Sequence, residues 1–154
     1  MKGNKKIIER LNELLADELT AISQYIVHAE MCDNWGYIKL HDSIKKRAIE
    51  EMGHAEKLIE RILFLEGQPI IEHLNKITIG TNLEEQFKSD RQAEEGAIKM
   101  YNNSIHLAED SGDNGTGELL KSVLLDEEAH LDWLETQLEL IKQLEVKNYL
   151  MEQV

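Results

Sequence analysis

The sequence predicts an all-α chain: a four-helix bundle with one long crossover and a short fifth helix at the C-terminus. Three observations carry this expectation. Apolar residues recur at spacings of three and four through four long stretches, which is the helical period. One proline and 5% aromatic residues suit helices better than a sheet. Glycines gather near Gly36, between Gly67 and Gly80, and in Gly112-Asp113-Asn114-Gly115-Thr116-Gly117, where they separate the periodic stretches. At 154 residues and 42% hydrophobic content, residues 1–154 are expected to form one domain with enough apolar material for a core.

The first helix, α1, is predicted over about 4–34, with Ile7, Leu11, Leu14, Ile22, Tyr25 and Ala29 on one stripe. Glu18 is the one charge in that stripe. Trp35-Gly36 ends the helix, with Gly36 suited to a left-handed turn. The second, α2, spans about 37–65 and carries Ile44, Ala48, Leu58, Ile62 and Leu65, among which fall Glu51 and His54. So short a join makes α1 and α2 antiparallel. Gly67-Gln68-Pro69 stops α2, and 67–82 holds no sustained period. This crossover is long enough for the next helix to run parallel to α2.

Thr81 and Asn82 are cap candidates for α3, about 83–110, whose inner face bears Leu83, Phe87, Ala97, Tyr101 and Ala108, interrupted by Glu94. After the glycine-rich turn, α4 is predicted over about 116–145. Leu120, Val123, Leu124, Leu131, Leu134, Leu138 and Ile141 face inward there with Glu127 and His130. A short α5 is expected over about 147–153, with Tyr149, Leu150 and Met151 as docking or subunit contacts.

The buried charges repeat. Glu51-Met52-Gly53-His54 and Glu127-Glu128-Ala129-His130 each place a carboxylate and an imidazole three apart, on one helix face. Glu18 precedes Glu51 by 33 residues and Glu94 precedes Glu127 by 33, so the set recurs with a shift of 76. Tyr25 and Tyr101 obey the same shift. The chain therefore reads as two similar helical hairpins.

Four carboxylates buried without partners would cost several kcal/mol apiece. Two divalent cations cancel the four negative charges and leave the imidazoles neutral. Mixed carboxylate and imidazole ligands suit iron or manganese, and zinc also accepts them, but the lack of paired cysteines argues against a structural zinc knot. Carboxylates switch between bridging and terminal binding as iron changes valence, so redox chemistry with iron is the leading reading. The rival reading places Glu51 and Glu127 on solvated faces and makes both histidines cover for apolar neighbours. His28, His41, His73 and His106 lack a partner at ligand spacing and are read as surface or packing residues. Tyr25, Tyr101 and Trp133 lie near the expected centre, with core packing favoured over electron donation.

A formal charge of −13 argues against nucleic acid as a partner and favours cations. Cys32 alone excludes an internal disulfide, and its thiol is expected to be buried. Residues 1–13 break their apolar pattern with charges, so no signal peptide is read there, and no run is long enough to span a membrane. A cytoplasmic protein is expected.

The segments Met1-Lys2-Gly3, Leu14-Leu15-Ala16-Asp17-Glu18-Leu19, Asn34-Trp35-Gly36, Glu51-Met52-Gly53-His54-Ala55, Glu60-Arg61-Ile62-Leu63-Phe64-Leu65-Glu66-Gly67 and Asp126-Glu127-Glu128-Ala129-His130-Leu131-Asp132-Trp133-Leu134-Glu135-Thr136 resemble bacterioferritins, the haem-containing ferritins, over nearly the whole chain. The ligand set is the one described for ferritin-like di-iron bundles in general, so it matches a known pattern. The resemblance implies a ferroxidase centre of two iron ions per subunit. Glu18, Glu51 and His54 would hold one, Glu94, Glu127 and His130 the other, with Glu51 and Glu127 bridging. It also implies oxidation of Fe(II) by O2 or H2O2, storage of mineral in a homo-oligomeric shell of 24 subunits built from dimers, and a ferredoxin-like reductant for release.

Met52, turned about 100° from Glu51 around the helix, would by the resemblance be an axial ligand of a haem b shared between two subunits. Some members hold a further iron on the inner surface with a histidine and an aspartate where Lys46 and Glu50 stand here, and Lys46 cannot play that part. Asn34, Glu66, Asp132 and Glu139 resemble residues of iron pores in the family. Two alternatives are disfavoured: a rubrerythrin-like peroxidase lacks its Cys-x-x-Cys segment here, and a miniferritin places its iron between subunits. A non-catalytic helical protein that merely binds cations is the rival of another class.

Overall fold

Asn4 opens α1 by accepting a hydrogen bond from the Lys6 backbone, and 30 helical residues follow, Lys5–Asn34. The computed structural model describes all 154 residues. Gly36 closes α1 at φ +88°, a left-handed turn that lets the Tyr37 N–H reach Cys32 and the chain double back. Then come α2 (Ile38–Phe64), α3 (Leu83–Asp110), α4 (Asn114–Leu144) and α5 (Val146–Met151). No helix is long and apolar enough to cross a membrane.

The helix pairs α1/α2 and α3/α4 form hairpins, and α1 packs on α3 as α2 packs on α4. Direction follows from pairings between helices. His28 meets Asp90, Tyr25 meets Glu94 and Tyr101 meets Glu18, so α3 descends where α1 ascends. This makes α3 parallel to α2, which only the long crossover permits.

The crossover is held by side chains of α1 rather than by its own structure. The Asn12 Oδ1 accepts from the Ile70 N–H, Thr20 Oγ1 from Asn75, Gln24 Oε1 from Thr78, and His28 Nε2 from Gly80. These four lie at multiples of four along one helix, so a polar stripe tracks the segment for its length. Gly80 marks its close approach to α3: a Cβ there would lie 2.2 Å from the Gln86 nitrogen.

The C-terminal half differs in detail from the expected ranges. Helix α4 begins at Asn114, inside the stretch expected to be a turn, because Asp113 caps it by accepting from the Thr116 N–H. Arg61 of α2 secures that cap, donating to both Asp113 and Thr116. Helix α5 docks through Tyr149, buried and bonded to Gln137 2.7 Å away, whereas Met151 is exposed.

The interior is two apolar clusters with a polar layer between them. One gathers Leu11, Leu15, Leu58, Ile62, Leu120 and Val123; the other gathers Ile44, Phe87, Leu134, Ile141 and Tyr149. Cys32 is buried in the second, and burial pushes its thiol up to about 12, so it is inert.

Candidate metal centre

Each of the four long helices sends one glutamate into the layer between the clusters. Glu18, Glu51, Glu94 and Glu127 are 3%, 0%, 1% and 2% exposed, which removes the reading that places any of them on a solvated face. His54 and His130 join them one turn beyond their glutamates, with rings 6.2 Å apart. Their ligand atoms form two groups, each within 4.8 Å: Glu18, Glu51, His54 and Glu127 in one, Glu51, Glu94, Glu127 and His130 in the other. Glu51 and Glu127 belong to both.

Hydrogen bonds orient every member but Glu127. Tyr25 donates to Glu94 at 2.6 Å and Tyr101 donates to Glu18, so the two tyrosines of the repeat serve exchanged partners across the bundle axis. Both imidazoles turn Nδ1 inward, His54 to Glu51 at 2.8 Å and His130 to the other oxygen of Glu51 at 3.0 Å. Both turn Nε2 outward, His54 to Asp126 at 2.9 Å and His130 to Glu50 at 2.6 Å. A carboxylate on the far nitrogen fixes ring orientation and strengthens the near one as a ligand.

From the sequence, Glu50 marks only the place of a further iron ligand in some family members and Asp126 has no role, so neither reads as a histidine's partner. They nonetheless obey the shift of 76, each directly preceding the glutamate of a Glu-x-x-His pair, and that was the available signal.

In the absence of cations, protons take up the excess charge. Burial raises Glu18 to about 8 and Glu127 to about 11. Burial acts to raise Glu51 too, but hydrogen bonds from His130 and His54 overcome it and hold that carboxylate far below its usual range. Burial acts to lower both histidines. Carboxylate partners reverse this, taking His130 to about 10 and His54 well above the imidazole range. The tyrosines, raised chiefly by burial and then by the carboxylates beside them, stay neutral donors.

The residues fit a pair of cations on the donor chemistry alone. Glu94 Oε2 and Glu127 Oε1 are buried and accept no hydrogen bond. Glu127 Oε1 lies 3.0 Å from His54 Nδ1, but that nitrogen's single proton is directed at Glu51. A buried acceptor without a donor is costly, and here two such oxygens sit in the two overlapping ligand groups.

A second polar cluster lies further along α1 and α3. Buried Asp90 accepts from Gln24 at 2.8 Å and from His28 Nδ1 at 2.9 Å, while His28 Nε2 accepts the Gly80 N–H. Accepting at Nε2 requires the Nδ1–H tautomer, a neutral ring. His28, expected at the surface or in simple packing, is thus the clasp between the crossover and the bundle. Its signal was weak: Gln24 and His28 four apart, with nothing in α3 to mark Asp90 as their partner.

Met52 leaves the layer. It is 46% exposed on the outer side of α2, near Ile49, which is also exposed. Trp133 is half-buried, edge-on to Phe87, with the Arg47 guanidinium 4.6 Å above its ring.

Residues 8–144 match the family model for the ferritin-like domain. The chain is similar to the bacterioferritin of Rhodobacter capsulatus, 43% identical with 94% of this chain and 89% of the relative covered. It is similar to the bacterioferritin of Mycolicibacterium paratuberculosis, 40% identical with 97% and 94% covered. A bacterioferritin of Mycobacterium tuberculosis is 39% identical with 94% and 91% covered. Matches of this extent, on a bundle with a long crossover and a buried carboxylate and histidine layer, establish that the chain belongs to the bacterioferritin family.

Proposed function

We propose that this protein stores iron and oxidises Fe(II) to Fe(III) at the six-residue centre, with O2 or H2O2 as oxidant. One observation carries the reading: two four-residue ligand groups share Glu51 and Glu127 inside a desolvated layer where two carboxylate oxygens lack donors. Glu18, Glu51 and His54 would take one Fe(II), Glu94, Glu127 and His130 the other, and the shared glutamates would hold both substrates near each other. Two Fe(II) supply the two electrons that reduce one H2O2 to two waters, with two protons consumed.

The chain's own groups support each requirement of that reaction. Four carboxylates match the charge of two Fe(II) and, as hard oxygen donors, favour the Fe(III) product. Asp126 and Glu50 hold the imidazoles with Nδ1 inward. Protons held by the empty centre leave as Fe(II) arrives.

Met52 fits a haem b shared with a second copy, because its thioether is exposed on the outer face of α2 and each chain offers one such sulfur. The haem would supply electron transfer, for instance from a ferredoxin-like donor during release. Exposed Ile26, Val27, Ile49, Ile71 and Leu74 form apolar surface suited to contacts between copies, consistent with a shell of 24 subunits. Mixing the protein with Fe(II) in air tests the activity. Glu18→Ala and His130→Ala should slow oxidation sharply, and rates equal to wild type would remove the ferroxidase reading.

A further inference from the structure

Helix α1 carries carboxylates at Glu9, Glu13 and Asp17, four apart and so aligned on one face. Glu9 and Glu13 border an open surface groove of about 540 Å³ with Asn12, His73 and Asn75. Asp17 lies beyond it. It lines a more enclosed cavity of about 120 Å³ beneath the crossover, whose wall also includes Glu18, Glu94 and Glu127 of the centre. Asn75 borders both spaces, so groove and cavity adjoin.

Acidic surface alone would mean little in so acidic a protein. Glu13 already pairs with Arg10 at 2.8 Å and Glu9 sits 3.9 Å from Lys5, both exposed contacts of small energy. The inner wall supplies the independent observation. The two oxygens without donors, Glu94 Oε2 and Glu127 Oε1, belong to residues 1% and 2% exposed that line this same cavity. A cation in the cavity therefore has open ligands ahead of it and a ladder of carboxylates behind.

We propose that the cavity under the crossover is a transit site for divalent cations, in which Asp17 holds a cation between the Glu9 and Glu13 groove and Glu18. This rests on the six-residue centre being the destination. Lys76, exposed at the cavity's rim, brings a positive charge that opposes arrival until its flexible stem swings aside.

The test follows Co(II) into the metal-free, assembled protein by stopped-flow absorption, with bound Co(II) counted at equilibrium. Asp17→Asn should slow arrival about tenfold, the scale of local field focusing, and leave the final count at the wild-type value. Lys76→Gln should speed arrival. Glu118→Gln, which removes the same charge far from the cavity, should match wild type. An Asp17→Asn rate within about twofold of wild type, or one matched by Glu118→Gln, overturns the transit site while leaving the centre intact. A reduced final count in Asp17→Asn also overturns it, because Asp17 would then be a ligand or a structural support. A wild type that takes up no Co(II) removes the centre itself.

Discussion

Two buried polar clusters sit within the same bundle, and they solve the cost of burial in opposite ways. In the clasp, one carboxylate meets two donors: Asp90 accepts from Gln24 and His28, and the remaining acceptors on those side chains take Thr78 and Gly80 N–H groups. In the centre, four buried carboxylates share two tyrosine hydroxyls and two inward imidazole nitrogens, and two fully buried oxygens, Glu94 Oε2 and Glu127 Oε1, accept nothing. A cluster that closes on itself stabilises the fold. One that has acceptors in excess is built for something that brings positive charge, whether protons or metal ions.

The sharpest way to break this comparison is to remove one of the two carboxylates proposed to be shared between the metal ions. Glu127→Gln should lower Fe(II) oxidation by more than about 100-fold, beyond the loss expected for an outer partner of a ligand. It should also reduce bound Co(II) below two per chain. The metal-free protein should barely change in stability, because Glu127, raised to about 11 by burial, is already neutral at pH 7. A variant that still binds two Co(II) would show that Glu127 is not shared between them.

The clasp should show the reverse pattern. Asp90→Ala strands the Gln24 amide and the His28 N–H, and should cost about 3 kcal/mol in urea denaturation. Equilibrium binding of Co(II) should survive at low temperature. Stability equal to wild type would mean the cluster contributes nothing to holding the crossover.

The smallest effect is in protons. At pH 7 the metal-free centre retains protons on Glu18, Glu127 and His130, whose values stand at about 8, about 11 and about 10. Binding displaces them, so Co(II) affinity should rise with pH through about 6 to 8, where protons compete less. Calorimetry in buffers of different ionisation heat should show at least one proton released per Co(II). Heats that do not depend on the buffer would mean that the centre is already deprotonated.

The centre was legible in sequence because its signal is local and repeated: Glu-x-x-His twice, a glutamate 33 residues before each, and a single shift between halves. The outer partners Glu50 and Asp126 obey that shift too, yet as acidic residues on an acidic chain they do not stand out. The clasp was not legible. Its bonds join α1 side chains to the backbone of a segment without periodicity, and backbone groups carry no residue code. The start of α4 was missed by about two residues because glycines there signal a turn, while Asp113 and Arg61 stabilise a helix.

By itself the sequence determined which apolar stripes and which four glutamates and two histidines face inward, because helical period converts spacing into direction before any partner is known. It also determined the chain's two-hairpin plan through the length of the crossover. Tertiary structure alone decided which imidazole nitrogen faces the centre, which side chains hold the crossover, and which oxygens go without donors. Those depend on distances between helices, to a fraction of an ångström, that no single helix contains.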